Sequence, residues 1–283
     1  MIVIHHNKDL DGFASGAICK LKYPDAKLIG WDYADPIPDF EQFKGEDIIM
    51  IDITFPIDKI KELGLICDQL TVMDHHVSFK KEYDERTDVW DKFLYIYKIG
   101  SAACEIGWKY LFSDKPIPYA VTLLGRYDTW RQNEGDWEGE TLPFQYYMRT
   151  VCTSADRFPV RYFEENNCNQ AVDLGKIILL YQEQQDTLAC QRSSFAREFK
   201  TPTGPLRALC LNTRFFSSNT LKSVYNPDLH DVMIGFEYTG TKWSVSLRSD
   251  KNDVDVSILA KFRGGGGHKG AAGFECDIFE NIF

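Results

Sequence analysis

Two aspartates and a histidine lie close together near the N-terminus, where the sequence predicts a turn from a strand into a helix. The β-branched residues 2–4 predict a buried strand, and residues 13–21 have apolar side chains at helical spacing. His5, Asp9 and Asp11 therefore crowd the turn between these elements. Carboxylates and an imidazole form a ligand set that Mn²⁺ or Mg²⁺ accepts. Aspartates are also common helix caps, so this turn alone leaves both interpretations open.

Further acidic and imidazole groups follow two other predicted strands. Asp52 follows one apolar run, and Asp74, His75 and His76 follow another. The predicted elements are strands at 26–31, 47–51 and 70–73 and helices at 56–65, 100–112 and 118–124. Strands that alternate with helices indicate a parallel sheet, in which the carboxyl ends of the strands lie on one edge. We therefore expect these side chains to meet those of the first turn at a single site.

The composition limits the kinds of partner that the chain can have. With 283 residues, of which 44% are hydrophobic, the chain can bury a core and form two domains. Its formal charge of −10 disfavours a protein that coats long nucleic acid, because such proteins need a basic face, but a short anionic substrate in a pocket remains compatible. No apolar run approaches the ~18 residues of a membrane span and no signal-peptide pattern is present, so we expect a cytoplasmic protein without a membrane partner.

The eight cysteines are scattered along the chain, and no Cys-x-x-Cys pair occurs. Zinc knuckles and disulfide frameworks have closer or more regular cysteine spacings. We therefore expect reduced, mostly buried thiols and no zinc site.

A change of pattern near residue 200 predicts two domains. Residues 169–197 have the apolar spacing of one long helix, which the proline- and glycine-containing segment 201–205 cannot continue. Beyond it the pattern predicts strands at 206–211, 231–238, 243–247 and 273–278, a helix at 254–262 and a flexible glycine loop at 264–267. Residues 132–163 are not assigned beyond helices and loops. The predicted fold class is α/β, with an N-terminal parallel-sheet domain over 1–168, a connector helix and linker over 169–204, and a smaller α/β C-terminal domain over 205–283.

Three motifs together resemble those of the DHH phosphoesterase superfamily. Residues 5–12 read His-x-Asn-x-Asp-x-Asp-Gly, which is similar to its first motif, and residues 74–76 are the Asp-His-His triplet that names the family. Residues 264–273 resemble the glycine-rich motif of the C-terminal domain that accompanies many of these enzymes. The order and separation of the motifs cover nearly the whole chain. The chain most resembles the compact oligoribonuclease, or nano-RNase, branch.

The resemblance implies a centre with two Mn²⁺ ions, for which Mg²⁺ or Co²⁺ could substitute. Matched to the family pattern, the ligands are His5, Asp9 and Asp52 for one ion and Asp11, Asp52, His75 and Asp128 for the other. Asp52 would then bridge the two ions, and Asp74 would be either a ligand or the group that orients His75. The catalytic residues implied are Asp11, Asp52 and His76. His76 would face the substrate phosphate, or alternatively form only a structural hydrogen bond beneath the site.

The glycine run and an arginine are the expected substrate contacts. Consecutive glycines are entropically costly unless the backbone adopts unusual angles or approaches a ligand closely. We expect the amides of Gly265, Gly266 and Gly267, together with His268, to hold an anion, although a plain flexible loop is the alternative. Arg248 matches a family position that contacts the nucleotide, and a guanidinium suits a phosphate or stacks on a base.

The implied function is manganese-dependent hydrolysis of short RNA or dinucleotides to nucleoside monophosphates. Alternatives within the family are a 3′-phosphoadenosine 5′-phosphate phosphatase and a cyclic-dinucleotide phosphodiesterase. A family II pyrophosphatase is disfavoured, because those enzymes do not carry the glycine-rich motif. From a different class, a catalytically silent nucleotide-binding protein is the remaining alternative. A homodimer is left open.

Overall fold

The structure is a computed structural model that describes residues 1–89, 91–202, 204–214, 216–217 and 219–283. The chain divides into two compact units, Met1–Leu179 and Leu180–Phe283. This division falls within one long helix, at neither of the predicted boundaries, 168 and 204. The predicted division into three parts stays a prediction. Thr203, in the predicted linker, lies outside the described residues.

The first unit is built on a five-stranded parallel sheet. Its strands are β1 (Ile2–His6), β2 (Lys27–Trp31), β3 (Asp47–Ile51), β4 (Gln69–Asp74) and β5 (Leu94–Tyr97), in the order β2-β1-β3-β4-β5. Its helices are α1 (Leu10–Lys22), α2 (Ile57–Ile66), α3 (Val77–Glu85), α4 (Ala103–Leu111), α5 (Tyr119–Asp128) and α6 (Leu142–Val151). All four strand pairs are parallel, which confirms the predicted sheet.

Alternate residues of the strands enter two separate cores. Ile4, Met50 and Val72 pack in one core with α2 and α3, whereas Val3 and Ile49 pack in the other with α1, α4 and α5. Both faces of the sheet are covered, so the strands are apolar at nearly every position. The charged and imidazole side chains of these strands lie at or next to the strand ends.

The long helix α7 (Glu165–Ser193) carries the chain from the first unit into the second. The strands of the second unit are β6 (Phe195–Phe199), β7 (Leu206–Asn212), β8 (Val232–Tyr238), β9 (Trp243–Arg248), β10 (Gly266–His268) and β11 (Ala271–Cys276). They form one sheet in the order β10-β11-β9-β8-β7-β6, in which only β7 and β8 pair in parallel. The helix α8 (Val256–Phe262) packs its buried residues into the core beneath this sheet. The predicted α/β fold class is confirmed.

The predicted flexible loop at 264–267 is partly wrong. Gly266 and Gly267 belong to β10 and pair with Gly273 and Ala272 of β11. A Cβ atom on Gly267 would lie 2.5 Å from the Cα of Ala272, and the φ angle of Gly267 is +139°. The close approach of the neighbouring strand is therefore sufficient to explain why residue 267 is glycine.

None of the helices within the described ranges combines the length and apolar character needed to cross a membrane. The eight cysteines are free, and six of them are buried.

Candidate metal centre

Asp9 is the N-cap of α1, and its carboxylate belongs to the candidate metal centre. Its backbone is extended, and its Oδ1 accepts a hydrogen bond from the backbone N–H of Gly12 at 2.9 Å, which is a typical N-cap. Its Oδ2 lies 2.8 Å from Nδ1 of His6. Burial raises the pKa of Asp9, but its hydrogen bonds and charge interaction with His6 outweigh burial and leave the pKa lowered. The sequence left open whether Asp9 caps the helix or binds a metal. In the structure Oδ1 serves as the cap and Oδ2 remains directed at the other ligand groups, so one residue can have both roles.

Asp11 joins the first helix to the start of α4. Its two carboxylate oxygens accept hydrogen bonds from the backbone N–H groups of Ala103 and Cys104, each at 2.8 Å. These N–H groups lie in the first turn of a helix, where the helix dipole favours negative charge. The Oδ2 of Asp11 is also 3.8 Å from Nε2 of His75. Asp11 is thus held rigidly by α4 while it faces the centre.

Asp52 follows β3 in an unusual backbone conformation. Its φ angle is +64°, which a residue other than glycine adopts rarely. Its side chain is 2% exposed, with Oδ1 3.2 Å from Nε2 of His75 and Oδ2 3.6 Å from Nδ1 of His6. Oδ2 has no hydrogen-bond partner among the described residues. Burial and the neighbouring charge of Asp11 raise the pKa of Asp52 well above its usual value.

The Asp74-His75-His76 triplet lies at the end of β4. Nδ1 of His76 is 2.7 Å from Oδ1 of Asp74, whereas Nε2 of His75 is directed at other carboxylates, including Asp128 at 3.4 Å. Asp74 therefore orients His76, and the prediction that it orients His75 is not supported by the contacts. Burial lowers the pKa of His76, but the hydrogen bond and charge of Asp74 raise it more. Oδ2 of Asp74 is buried and has no partner in the described part of the chain.

The structure places His6, rather than the predicted His5, within a candidate ligand group. The ring of His5 is buried, with Nδ1 2.8 Å from the backbone oxygen of His6, and it lies so close to α1 that a Cβ on Gly16 would be 2.9 Å from the ring. His6 instead lies between Asp9 and Asp52. Burial opposes charge on His6, but the nearby carboxylates of Asp52 and Asp9 raise its pKa to about 11. Adjacent strand residues point to opposite faces of the sheet, so His5 lies on the same face of β1 as Val3. Val3 packs in the core formed with α1, α4 and α5.

The side chains form three overlapping groups, in each of which the ligand atoms lie within 4.8 Å of one another. The groups are Asp52, Asp74, His75 and His76; His6, Asp9 and Asp52; and Asp11, His75 and Asp128. Asp52 and His75 each belong to two groups. Burial and the charges of Asp11 and Asp52 also raise the pKa of Asp128 well above its usual value. Crowded buried carboxylates with unpartnered oxygens fit divalent cations, which would relieve their mutual repulsion.

A cavity of about 510 Å³ borders this centre within the first unit. Asp9, Asp11 and Asp128 line one part of it, and Trp130 and Arg149 line another. The part of the wall from α6 belongs to the segment 132–163, for which the sequence predicted no definite element. The cavity is therefore bounded by potential metal ligands, an aromatic ring and a cation.

The predicted substrate contacts lie in the second unit. Arg248 ends β9, and its Nη1 donates a hydrogen bond to the backbone oxygen of Leu247 at 2.9 Å. Arg248 pairs with Ala271, and Ala271 pairs with His268, so the backbone brings these positions to the same end of three neighbouring strands. The side chain of His268 lies outside the described residues.

The glycines of this motif differ in what surrounds them. A Cβ on Gly265 would lie 2.0 Å from the backbone oxygen of Gly273, whereas one on Gly266 would meet nothing within 4 Å. Packing therefore explains Gly265 and Gly267, and Gly266 has no such explanation.

Comparisons with known proteins identify shared folds. A pGpG-specific phosphodiesterase, PggH, from Vibrio cholerae superposes with a TM-score of 0.57 at 12% sequence identity, covering 99% of this chain and 94% of the other. The two chains share one fold. An exopolyphosphatase-related protein from Bacteroides fragilis superposes with a TM-score of 0.50 at 15% identity, covering 99% of this chain and 88% of the other.

In sequence, the chain is 24% identical over 290 residues to uncharacterized protein R106 of Acanthamoeba polyphaga mimivirus. The match covers 96% of this chain but only 66% of the length of that relative. No family model matches the chain.

Proposed function

We propose that this chain is a metal-dependent phosphodiesterase of the DHH type that hydrolyses short oligonucleotides or dinucleotides to nucleoside monophosphates. The main support for the proposal is the set of three ligand groups linked through Asp52 and His75, each of which belongs to two groups, beside a cavity that Asp9, Asp11 and Asp128 line. The three sequence motifs support the DHH assignment. The fold shared with a pGpG-specific phosphodiesterase supports a phosphodiester substrate.

The ligand groups fit two adjacent cations. His6, Asp9 and Asp52 would hold one, and Asp11, Asp52, His75 and Asp128 would hold the other, with His6 in the place that the motif gave to His5. Imidazole nitrogens among carboxylates favour Mn²⁺, because Mg²⁺ is bound mainly by oxygen ligands and water. When bound, such a metal pair activates water and stabilises charge on the phosphoryl group.

The protein's own groups position the reaction. The hydrogen bond between His76 and Asp74 engages Nδ1 of the imidazole, so Nε2 is the nitrogen that can contact a substrate phosphate. The backbone N–H groups of Ala103 and Cys104 hold Asp11 in place, and the strained turn at Asp52 directs its carboxylate into the centre.

Short substrates are favoured by the charge of the chain. With a formal charge of −10 it lacks an extended basic surface, so each nucleotide beyond the pocket adds little attraction. Arg248 and the backbone amides of the glycine-rich motif would bind part of the nucleotide, as the family resemblance implies. Of the three glycines predicted to contact the substrate, Gly266 is the one at which packing leaves room for a ligand role.

A substrate panel tests the proposal. The full chain, stripped of metal and reloaded with Mn²⁺, is incubated with RNAs of two to about 25 nucleotides, pGpG, a cyclic dinucleotide and 3′-phosphoadenosine 5′-phosphate, and products are identified by mass. We expect nucleoside monophosphates from the dinucleotides and a ratio of kcat to KM that does not rise with RNA length. His6→Gln and His5→Gln form a matched pair, because only His6 lies in a ligand group.

We expect His6→Gln to lose activity and His5→Gln to retain it wherever the protein stays folded. Turnover of only the cyclic dinucleotide or only 3′-phosphoadenosine 5′-phosphate would replace the proposed substrate class. An inactive parent chain loaded with metal would contradict the assignment as an enzyme.

A further inference from the structure

Trp130 has features that packing does not explain. It lines the cavity two residues after Asp128 and is 48% exposed. Its φ angle is +56°, in the left-handed region that bulky residues avoid. A large apolar side chain that is half-exposed beside a candidate active site, in a backbone conformation that costs free energy, indicates a functional constraint.

The turn that carries Trp130 is held from several sides. Its backbone N–H donates to the carbonyl of Tyr127 at 3.2 Å. The next residue, Arg131, donates from Nε to Oγ1 of Thr129 at 2.7 Å and from Nη2 to the buried Glu105 at 2.7 Å. The turn is therefore fixed to α4 and α5, which also position the metal ligands.

The indole ring is fixed as well. It meets the rings of Trp137 and Tyr127 at centroid distances of 5.1 and 6.0 Å with interplanar angles of 73° and 71°. Trp137 is buried and lies parallel to Tyr127. A preorganised aromatic surface loses little conformational freedom when a flat ligand stacks on it.

Two cationic side chains, Arg149 and Lys8, also line the cavity. Arg149 lies 5.2 Å above the ring of Tyr127 and donates a hydrogen bond to its hydroxyl at 2.9 Å. Lys8 lines the same cavity, and its side chain is 63% exposed. A nucleotide offers the complementary groups, which are a flat base and anionic phosphates. The cavity volume lies within the range of about 300–1,000 Å³ typical of small-ligand sites.

We propose that Trp130 is the stacking platform for one base of the oligonucleotide, with Arg149 and Lys8 beside the phosphate next to the one that is cleaved. This inference rests on the proposed function and adds a base-binding subsite within the first unit. Every base has a π face, so the platform accepts all four bases. Binding energy from this subsite would hold the scissile phosphate at the ligand groups around Asp52.

Equilibrium binding tests the platform without turnover. The Mn²⁺-loaded full chain is titrated by calorimetry with a non-hydrolysable 5′-phosphorylated diadenosine analogue and with two further analogues, each lacking one of the bases. Trp130→Ala and Trp130→Leu should weaken binding of the complete analogue roughly 5- to 100-fold, and Trp130→Phe should retain most of it. Tyr110→Ala removes an exposed aromatic ring that does not line the cavity, and should bind as the parent does.

For one of the two analogues that lack a base, the difference between the parent and Trp130→Ala should disappear. Equal binding of the complete analogue by the parent and by folded Trp130→Ala or Trp130→Leu overturns the inference, as does absence of binding by the parent. Failure of the parent to hydrolyse natural dinucleotides that it binds would instead overturn the proposed function, and the comparison of binding would still decide the role of Trp130.

Discussion

Replacement of Asp52 by asparagine is expected to stabilise the metal-free protein and to abolish hydrolysis. In the metal-free state Asp52 is a buried carboxylate whose neighbour Asp11 repels it and whose Oδ2 has no hydrogen-bond partner in the described structure, although Nδ1 of His6 lies 3.6 Å away. Asparagine keeps an acceptor for His75, which lies 3.2 Å from Oδ1 of Asp52. Asparagine also tolerates the φ angle of +64° as well as aspartate does. The substitution therefore removes a charge that is unfavourable without metal and leaves the backbone unstrained relative to the parent.

The magnitude follows from the removal of the charge alone, because the amide of asparagine is also a buried polar group at this position. A buried polar group without a partner costs about 1–3 kcal/mol, and more when it is charged. The first unit has 179 residues, and for domains of this size 1 kcal/mol shifts the melting temperature by ~2–4 °C. We therefore expect the variant to melt roughly 2–12 °C above the parent when metal is absent.

When Mn²⁺ is bound, the parent should melt at a higher temperature than the Asp52→Asn variant. Mn²⁺ at a hundred times its Kd stabilises a protein that binds it by about 2.7 kcal/mol per site, and the variant lacks the carboxylate that bridges two sites. Thermal melting of both proteins is measured in a chelator and in Mn²⁺, with Asp114→Asn as a control for removal of an exposed charge. The reasoning is refuted if the variant melts below the parent in the chelator, or if Mn²⁺ stabilises both proteins equally.

Three further outcomes are expected. Asp231→Asn should lower the free energy of unfolding of the second unit by about 1–3 kcal/mol near neutral pH, because the carboxylate accepts charged hydrogen bonds from Arg207 at 2.7 and 3.0 Å. The lowered pKa of Asp231 means that this contribution is present above its ordinary pKa of 3.8 and is lost as the pH falls below that value, so the difference should shrink in denaturant unfolding at about pH 2. Gly267→Ala should destabilise the second unit, since its Cβ would meet Ala272, whereas Gly266→Ala should be tolerated; thermal melting that does not separate the two would contradict the described pairing of β10. The ratio of kcat to KM for labelled RNAs should be highest at roughly two to five nucleotides, and a steady increase with length would show that binding extends beyond a local pocket.

The sequence predicts the parallel sheet well because burial on both faces makes β1, β3 and β4 largely apolar. The polar residues that interrupt these runs mark the strand ends, and parallel topology then brings them to one edge. Asp11, Asp52 and His75 are accordingly found together, whereas Asp128, at the end of α5, is expected there only from the family resemblance. This part of the site depends only on local pattern and on a general rule of topology.

Other parts depend on tertiary contacts that a sequence does not contain. Motif matching gave His5, but the two adjacent histidines differ in which face of β1 they occupy, and only the packing of α1 over His5 decides between them. The available signal in the sequence was the alternation of side chains along β1, which places His5 on the same face as the buried Val3. The wall at Trp130 depends on a left-handed turn and on the pairing of Arg131 with Glu105, for which no local pattern exists.

The most direct test of the central claim is calorimetric titration of Mn²⁺ into the metal-stripped full chain, with dinucleotide hydrolysis measured on the same samples. We expect about two ions to bind per chain and activity to rise as they bind. His6→Gln should lose both binding and activity, and His5→Gln should retain both. Hydrolysis that survives complete removal of metal, or loss of Mn²⁺ binding in folded His5→Gln but not in His6→Gln, would contradict the central claim.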